Sequence, residues 1–328
     1  MSLLEVSGLH VWFGRPGGDQ VHAVRDVSFT LREGDRYGLV GESGCGKTTT
    51  NLALMGLLPP TATVAGEVTV NGASILAGGE DSVRGYRWKD IAMVFQGAMN
   101  ALNPVKKVGW QICEPMIFHG VADRQAARKR AGELLRLVGI PESGADRYPH
   151  EFSGGMRQRA AIAMALACQP KILLADEPTT ALDVMVQAQI LDLLNRLCDE
   201  LGLALVLVTH DLPVVAQMCE RAAVMYAGEI VENGRMDDLF HQPRHPYTRL
   251  LFAATPDLYG SGQVVSIPGA PPRLDRAITG CPFRPRCDVP LAACAAEHPP
   301  LRLVAPGHQA ACLRAEPAPV RQRKSTVS

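Results

Sequence analysis

No stretch of this 328-residue chain approaches the roughly 18 consecutive apolar residues that cross a bilayer as a helix. The longest candidate, Ala160 to Cys168, is about half that. The opening residues, Met1-Ser2-Leu3-Leu4-Glu5, lack a basic cluster followed by an apolar run. No secretory leader is expected, and the predicted compartment is a reducing cytoplasm. An excess of either charge is also missing: 33 Lys and Arg balance 33 Asp and Glu. That argues against nucleic acid held on one broad basic surface, while leaving room for a local patch. With 47% apolar and 20% charged residues, disorder throughout is excluded. The length predicts about two domains with a large buried core.

Cysteine, by contrast, is plentiful, with nine residues. A reducing compartment does not favour a disulfide framework. Five cysteines are scattered before residue 220. The other four, Cys281, Cys287, Cys294 and Cys312, lie close together near the end.

The first half alternates short apolar runs with helical patterns, which predicts an α/β fold with a largely parallel sheet. Residues 36–40, 91–95, 171–176 and 203–209 read as strands. Residues 47–57, 154–168 and 184–201 read as helices. Residues 107–140 look mostly helical, with Ala131, Leu134, Leu135 and Val138 spaced for one face. After about residue 242 prolines become frequent (Pro243, Pro246, Pro256, Pro268, Pro271, Pro272) and periodicity fades. A boundary is placed within 242–262, with a main domain over 1–242, a small loop-rich domain over 243–316 and a frayed basic tail over 317–328.

Gly41-Glu42-Ser43-Gly44-Cys45-Gly46-Lys47-Thr48 fits G-x-x-x-x-G-K-[ST] between a predicted strand and helix, the context that pattern needs. Such a loop turns its N–H groups inward at phosphate oxygens, and the helix N-terminus adds positive partial charge. Lys47 would reach the β- and γ-phosphates and Thr48 would ligate Mg²⁺. The candidate ATP contacts are Gly41, Ser43, Gly44, Cys45, Gly46, Lys47, Thr48 and Thr49. Cys45 sits at a variable position and reads as an incidental thiol. Downstream, the apolar run 172–175 ends in Asp176-Glu177. Buried acids need partners. Asp176 would hold the Mg²⁺ shell and Glu177 would act as general base on the attacking water. Ser153-Gly154-Gly155-Met156 opens a helix and makes another anion-receptive N-terminus.

Five elements then follow one another: Gly41–Thr48, Gln96 at a strand end, Phe152-Ser153-Gly154-Gly155-Met156, Asp176-Glu177, and His210 after an apolar run. In this order they resemble the ATP-binding-cassette (ABC) ATPases over about residues 3–242, and Ala181-Leu182-Asp183 matches the short loop after the carboxylates. The resemblance implies a P-loop NTPase ABC ATPase domain with a RecA-like core, a β-subdomain and a helical subdomain at about 97–152. It implies that Gln96 touches Mg²⁺ or the water, that His210 contacts the γ-phosphate and orients Glu177, and that Asp183 communicates across a dimer. Ser153, Gly154, Gly155 and Met156 would bind the γ-phosphate held by a partner subunit. Phe13 is the candidate adenine platform, with Trp12 as its rival. Phe152 stands where the commonest pattern has Leu, an apolar exchange.

Tyr148–Arg159, Leu102-Asn103-Pro104, Asp176–Val184 and His245-Pro246-Tyr247-Thr248-Arg249-Leu250-Leu251 resemble the subfamily that powers oligopeptide and dipeptide import. Related members import nickel or glutathione. A soluble cassette ATPase outside transport is a more distant alternative. The implied partners are a second ATPase subunit, identical or paralogous, two membrane permeases and, indirectly, a solute-binding protein, with the chain peripheral on the cytoplasmic face of the inner membrane. The four late cysteines have gaps that match neither common zinc ribbons nor bacterial ferredoxins. By spacing they leave an iron–sulfur cluster, zinc and no metal open. The subfamily resemblance implies a [4Fe-4S] cluster, with zinc as the runner-up.

Overall fold

The computed structural model describes residues 2–15, 20–76, 79–97, 101–255 and 266–316. The expected tail 317–328 and residues 256–262 of the expected boundary lie outside them. In chain order the chain forms β1 (Leu4–Gly14), β2 (Gln20–Leu31), β3 (Arg36–Val40), α1 (Lys47–Leu54), β4 (Ala62–Val70), β5 (Ala73–Ser74), α2 (Gly79–Tyr86) and β6 (Ile91–Val94). It continues with α3 (Val108–Phe118), α4 (Arg124–Leu137), α5 (Gly154–Ala165), β7 (Ile172–Asp176), α6 (Val184–Leu201), β8 (Ala204–Val208) and α7 (Leu212–Met218). The last elements are β9 (Arg221–Tyr226), β10 (Glu229–Arg235), α8 (Met236–His241), α9 (Pro246–Ala253), β11 (Arg302–Ala305) and β12 (His308–Ala310).

Two sheets face one another across a core. Antiparallel β2-β1-β4-β5 forms the smaller one. The larger one runs β11-β12-β10-β9-β3-β8-β7-β6, parallel from β9 to β6 and antiparallel beyond. Every residue of β6, β7 and β8 is buried, as expected for central strands covered on both faces. Their side chains alternate. Ile172 and Leu174 point into the cluster shared with the small sheet, whereas Leu173 and Ala175 join the cluster of the helical side. That second cluster takes in α3, α4 and α5, and Phe152, 4% exposed, fills part of it. The region expected as one mostly helical stretch is two helices separated by a turn. Asp123 caps the second through the N–H of Ala126, 2.8 Å away.

The loop-rich C-terminal region packs against the cassette. Hairpin β11–β12 extends the main sheet through Glu232↔Ala310 and Asn233↔Gln309. Phe283 and Tyr247 are buried in the helical-side core beside Tyr226. At the hairpin junction Glu232 is fully buried. Its carboxylate accepts the N–H groups of Arg244 (2.6 Å) and His245 (2.9 Å), and His308 Nε2 lies 2.7 Å away. Among the described residues no helix is long and apolar enough to cross a membrane.

Candidate active site

The site gathers at the carboxyl ends of the parallel strands, where open α/β sheets place their ligands. β3 runs into the loop 41–46, which closes onto α1. Gly46 caps α1 at φ 109°, and a Cβ there would lie 2.7 Å from the carbonyl oxygen of Ala23; only glycine fits that conformation and that approach. Ser43, Gly44 and Thr48 face outward, while Cys45 and Lys47 are buried. The Lys47 ammonium donates to the carbonyls of Gly41 (2.8 Å) and Glu42 (3.0 Å) and to Cys45 Sγ (3.7 Å), which holds it inside the loop where an anion's phosphates would sit. Burial pushes the Cys45 thiol up despite the neighbouring Lys47, so it stays a neutral thiol.

At the end of β7, Asp176 is 1% exposed and accepts the Thr48 hydroxyl at 3.2 Å. Burial raises its carboxyl to about 6; the adjacent Glu177 adds to this, while the Thr48 hydrogen bond and Lys47 oppose it. A buried carboxylate with one hydroxyl partner is a hard-oxygen pair suited to Mg²⁺. Glu177 follows in a left-handed conformation, φ 45°, so its side chain turns out of the strand into the open site. Its Oε2 accepts Gln96 Nε2 at 2.6 Å and the Thr180 hydroxyl at 2.9 Å, and its Oε1 lies 3.0 Å from His210 Nδ1. Burial tends to raise Glu177, but hydrogen bonds from His210 and Thr180 and the charges of His210 and Lys47 outweigh it and lower its pKa. Two adjacent acids are thus pushed apart, one held up and one held down, the pattern of divided catalytic roles.

The structure therefore brings together Lys47, Thr48, Gln96, Asp176, Glu177 and His210. Among the described residues no hydrogen bond or ion pair joins Ser153–Met156 to the phosphate loop. Ser153 instead caps α5 through the Met156 N–H at 3.3 Å. Asp183 caps α6 through the Val186 N–H at 3.0 Å and is exposed, followed by exposed Val184 and Met185. Phe13 packs against the small-sheet core. Trp12 stacks against both His10 and His22, with ring centroids 5.3 and 4.6 Å away, and the two histidines are themselves 5.2 Å apart.

The four late cysteines line one small cavity of about 20 Å³. All are free thiols. Burial raises Cys281 to about 11 and also raises Cys287. Among the described residues, however, no group of three or more His, Cys, Asp or Glu side chains is drawn in to hold a metal ion.

Three residues beside the loop escaped sequence reasoning. Tyr247 Oη accepts the Glu42 N–H at 2.9 Å, and Arg286 pairs with the Glu42 carboxylate while packing near Tyr226. His245-Pro246-Tyr247 was visible only as a family motif, and nothing local marks Arg286 or Tyr226 as neighbours of the loop.

A strand–loop–helix phosphate cradle, a buried acid beside its Thr, and a second acid held by Gln and His define a nucleotide-hydrolysing cassette. A family model described as ABC transporter matches residues 24–180, and one described as the C-terminal region of oligopeptide/dipeptide transporters matches residues 231–294. The chain is 48% identical over 315 residues to an oligopeptide transport ATP-binding protein OppD of Salmonella typhimurium, covering 95% of this chain and 93% of that protein. It is 46% identical over 316 residues to the dipeptide transport ATP-binding protein DppD of Bacillus subtilis, covering 94% of each. Among solved structures, an ATP-binding cassette in a dimeric post-hydrolysis state with ADP and Pi superposes with TM-score 0.63 at 32% identity, covering 71% of this chain and 98% of that one. The chain belongs to the ABC transporter family, in its oligopeptide and dipeptide transport ATP-binding branch. ATP hydrolysis is accordingly its activity.

Proposed function

We propose that this chain is the ATPase subunit that powers import of oligopeptides or dipeptides, working as a pair of ATPases against membrane permeases from the cytoplasmic face of the inner membrane. The observation that carries the chemistry is Glu177, ionised by its surroundings and held by Gln96, Thr180 and His210 beside the buried Asp176. Glu177 takes the proton of the attacking water, and His210 fixes its carboxylate. Thr48, Asp176 and Gln96 offer the oxygen donors for Mg²⁺, which when bound neutralises charge on the phosphates. Gly41, Ser43, Gly44, Cys45, Gly46 and Thr49 cradle the phosphates with Lys47.

A second ATPase, whose own Ser-Gly-Gly-Met would face this loop, completes the site. Exposed Asp183, Val184 and Met185 would lie in that contact. Exposed Trp110, Ile117 and Phe118 on α3 suit the permease. ATP bound between two subunits favours the closed pair and hydrolysis releases it, so nucleotide state selects between two arrangements of the pore. Residues 1–242 supply the cassette, 243–316 the C-terminal region and 317–328 a tail. Phe13 is the adenine platform, supported by the engagement of Trp12 with two histidines.

A [4Fe-4S] cluster on Cys281, Cys287, Cys294 and Cys312 is part of this reading, with a structural role. An all-thiol donor set on one cavity suits it. Anaerobic purification should yield brown protein with iron and sulfide, lost in Cys281→Ser; colourless protein with stoichiometric zinc overturns the cluster.

The test of the catalytic reading is Glu177→Gln. It should keep ATP binding, lower hydrolysis by about 10²–10⁴-fold, and accumulate an ATP-bound dimer on sedimentation. Hydrolysis at the native rate would remove Glu177 from the role of base. Uptake of a peptide panel by the reconstituted transporter identifies the cargo.

A further inference from the structure

The phosphate loop is held from outside the cassette core. Arg286 lies in a short 3-10 turn, Arg284–Arg286, between Cys281 and Cys287. Its side chain is 4% exposed, yet it reaches back across the sequence to Glu42, the residue after Gly41. The contact is a two-pronged fork: Nη1 donates to Oε2 at 2.6 Å and Nη2 to Oε1 at 2.8 Å. The guanidinium is itself pinned. Its Nε donates to the Pro268 carbonyl at 2.8 Å, Nη1 lies 3.4 Å from the Tyr226 hydroxyl, and the rings of Tyr226 and Phe283 stand 5.7 and 5.9 Å away. A planar fork fixed at this many points has little freedom left, so it sets direction as well as charge.

Glu42 is engaged at each of its polar groups. Its N–H is taken by Tyr247 Oη, its carboxylate by Arg286, and its carbonyl by the Lys47 ammonium. Pro271, Pro272 and Leu274 flank Ser43, Gly44 and Cys45 across a small cavity. The first turn of the loop is thereby clamped to the C-terminal region through side chains that no nucleotide contact requires. We propose that Arg286 is a positioning residue for ATP binding: it fixes Glu42 so that the N–H groups of 43–48 and Lys47 converge on the phosphates. This rests on the reading that residues 41–48 cradle phosphate.

The experiment uses the full chain and a fluorescent ATP analogue. The variants are Arg286→Met, Arg286→Lys, Glu42→Gln and, as a control, Lys47→Ala. Affinity is measured at a temperature where denaturation curves show each variant fully folded, which separates loop geometry from fold stability. Arg286→Met should weaken ATP binding by about tenfold, below the ~100-fold that a ~1 Å misplacement can cost in rate. Arg286→Lys keeps the charge but not the fork and should fall between. In ATPase assays at saturating ATP the loss should appear in KM more than in kcat. Folded Arg286→Met binding ATP within twofold of wild type overturns the proposal. If that variant does not fold, wild-type affinity in both Arg286→Lys and Glu42→Gln overturns it equally. If Lys47→Ala binds ATP normally, the phosphate-loop reading itself fails, which is a different outcome.

Discussion

Asp176→Asn should stabilise the nucleotide-free protein while crippling its response to Mg²⁺. A carboxyl held at about 6 by burial instead of 3.8 carries a penalty of about 3 kcal/mol for being ionised at neutral pH. Asparagine removes that charge, keeps the volume, and still offers an oxygen to the Thr48 hydroxyl. Because the folded pKa lies above the unfolded one, the penalty is fully present above about pH 6 and fades as pH falls towards 4. The variant should therefore melt higher than wild type at neutral pH, by roughly 5 °C for a chain of this size, and the gap should close between about pH 6 and pH 4. With saturating Mg²⁺ and a non-hydrolysable ATP analogue the order should reverse, because wild type gains a ligand-linked increment that the variant has lost. Differential scanning fluorimetry over a pH series, with and without Mg²⁺ and nucleotide, reads both effects. Nucleotide-free Asp176→Asn melting below wild type at neutral pH would refute the burial argument. An unchanged Mg²⁺ requirement for nucleotide affinity would refute the metal assignment.

Phe13→Ala should weaken ATP by about tenfold, since stacking one base on an aromatic ring is worth ~1–3 kcal/mol, whereas Trp12→Ala should change affinity little; the reverse result in a fluorescent-nucleotide titration makes Trp12 the platform. Glu232→Ala strands the Arg244 and His245 N–H groups and the buried His308 ring and should cost about 3–5 kcal/mol. Limited proteolysis should then cut within 266–316, and an unaltered digest would show that the carboxylate does not secure the hairpin. Gly280→Ala places a Cβ 2.4 Å from the Cys294 carbonyl oxygen at φ 71°, so chemical denaturation should show a loss of about 1–3 kcal/mol; wild-type stability contradicts the crowding.

The parts of the site legible in the sequence are those whose chemistry is local. Gly41–Thr48 and Asp176-Glu177 each sit where an apolar strand ends, so one short window contains both the positioning element and the reactive group. The all-buried strands were equally legible, because burial on both faces writes an unbroken apolar run. The sharing of Phe283 and Tyr247 with the cassette core was not legible, nor was the pairing of β12 on β10. Each depends on partners far along the chain, and an isolated Arg-Pro-Arg or His-Gln-Ala carries no mark of its neighbour. Proline-rich, aperiodic sequence after residue 242 reads as a small loop-rich domain; its contacts with the cassette core, such as those of Phe283 and Tyr247, leave no period in the sequence. The cysteine gaps gave proximity in sequence, while the convergence of all four thiols on one cavity required the fold.

The short hairpin β11–β12 has a consequence for solubility. Without it, β10 would end the main sheet as a seven-residue strand with its backbone donors and acceptors facing outward, a template for lateral pairing with another chain. With it, the sheet ends in β11, four residues long and irregular in register. The sheet's free edge is thereby short and irregular, which disfavours indiscriminate lateral pairing. Chains truncated before residue 300 should pair edge to edge and precipitate.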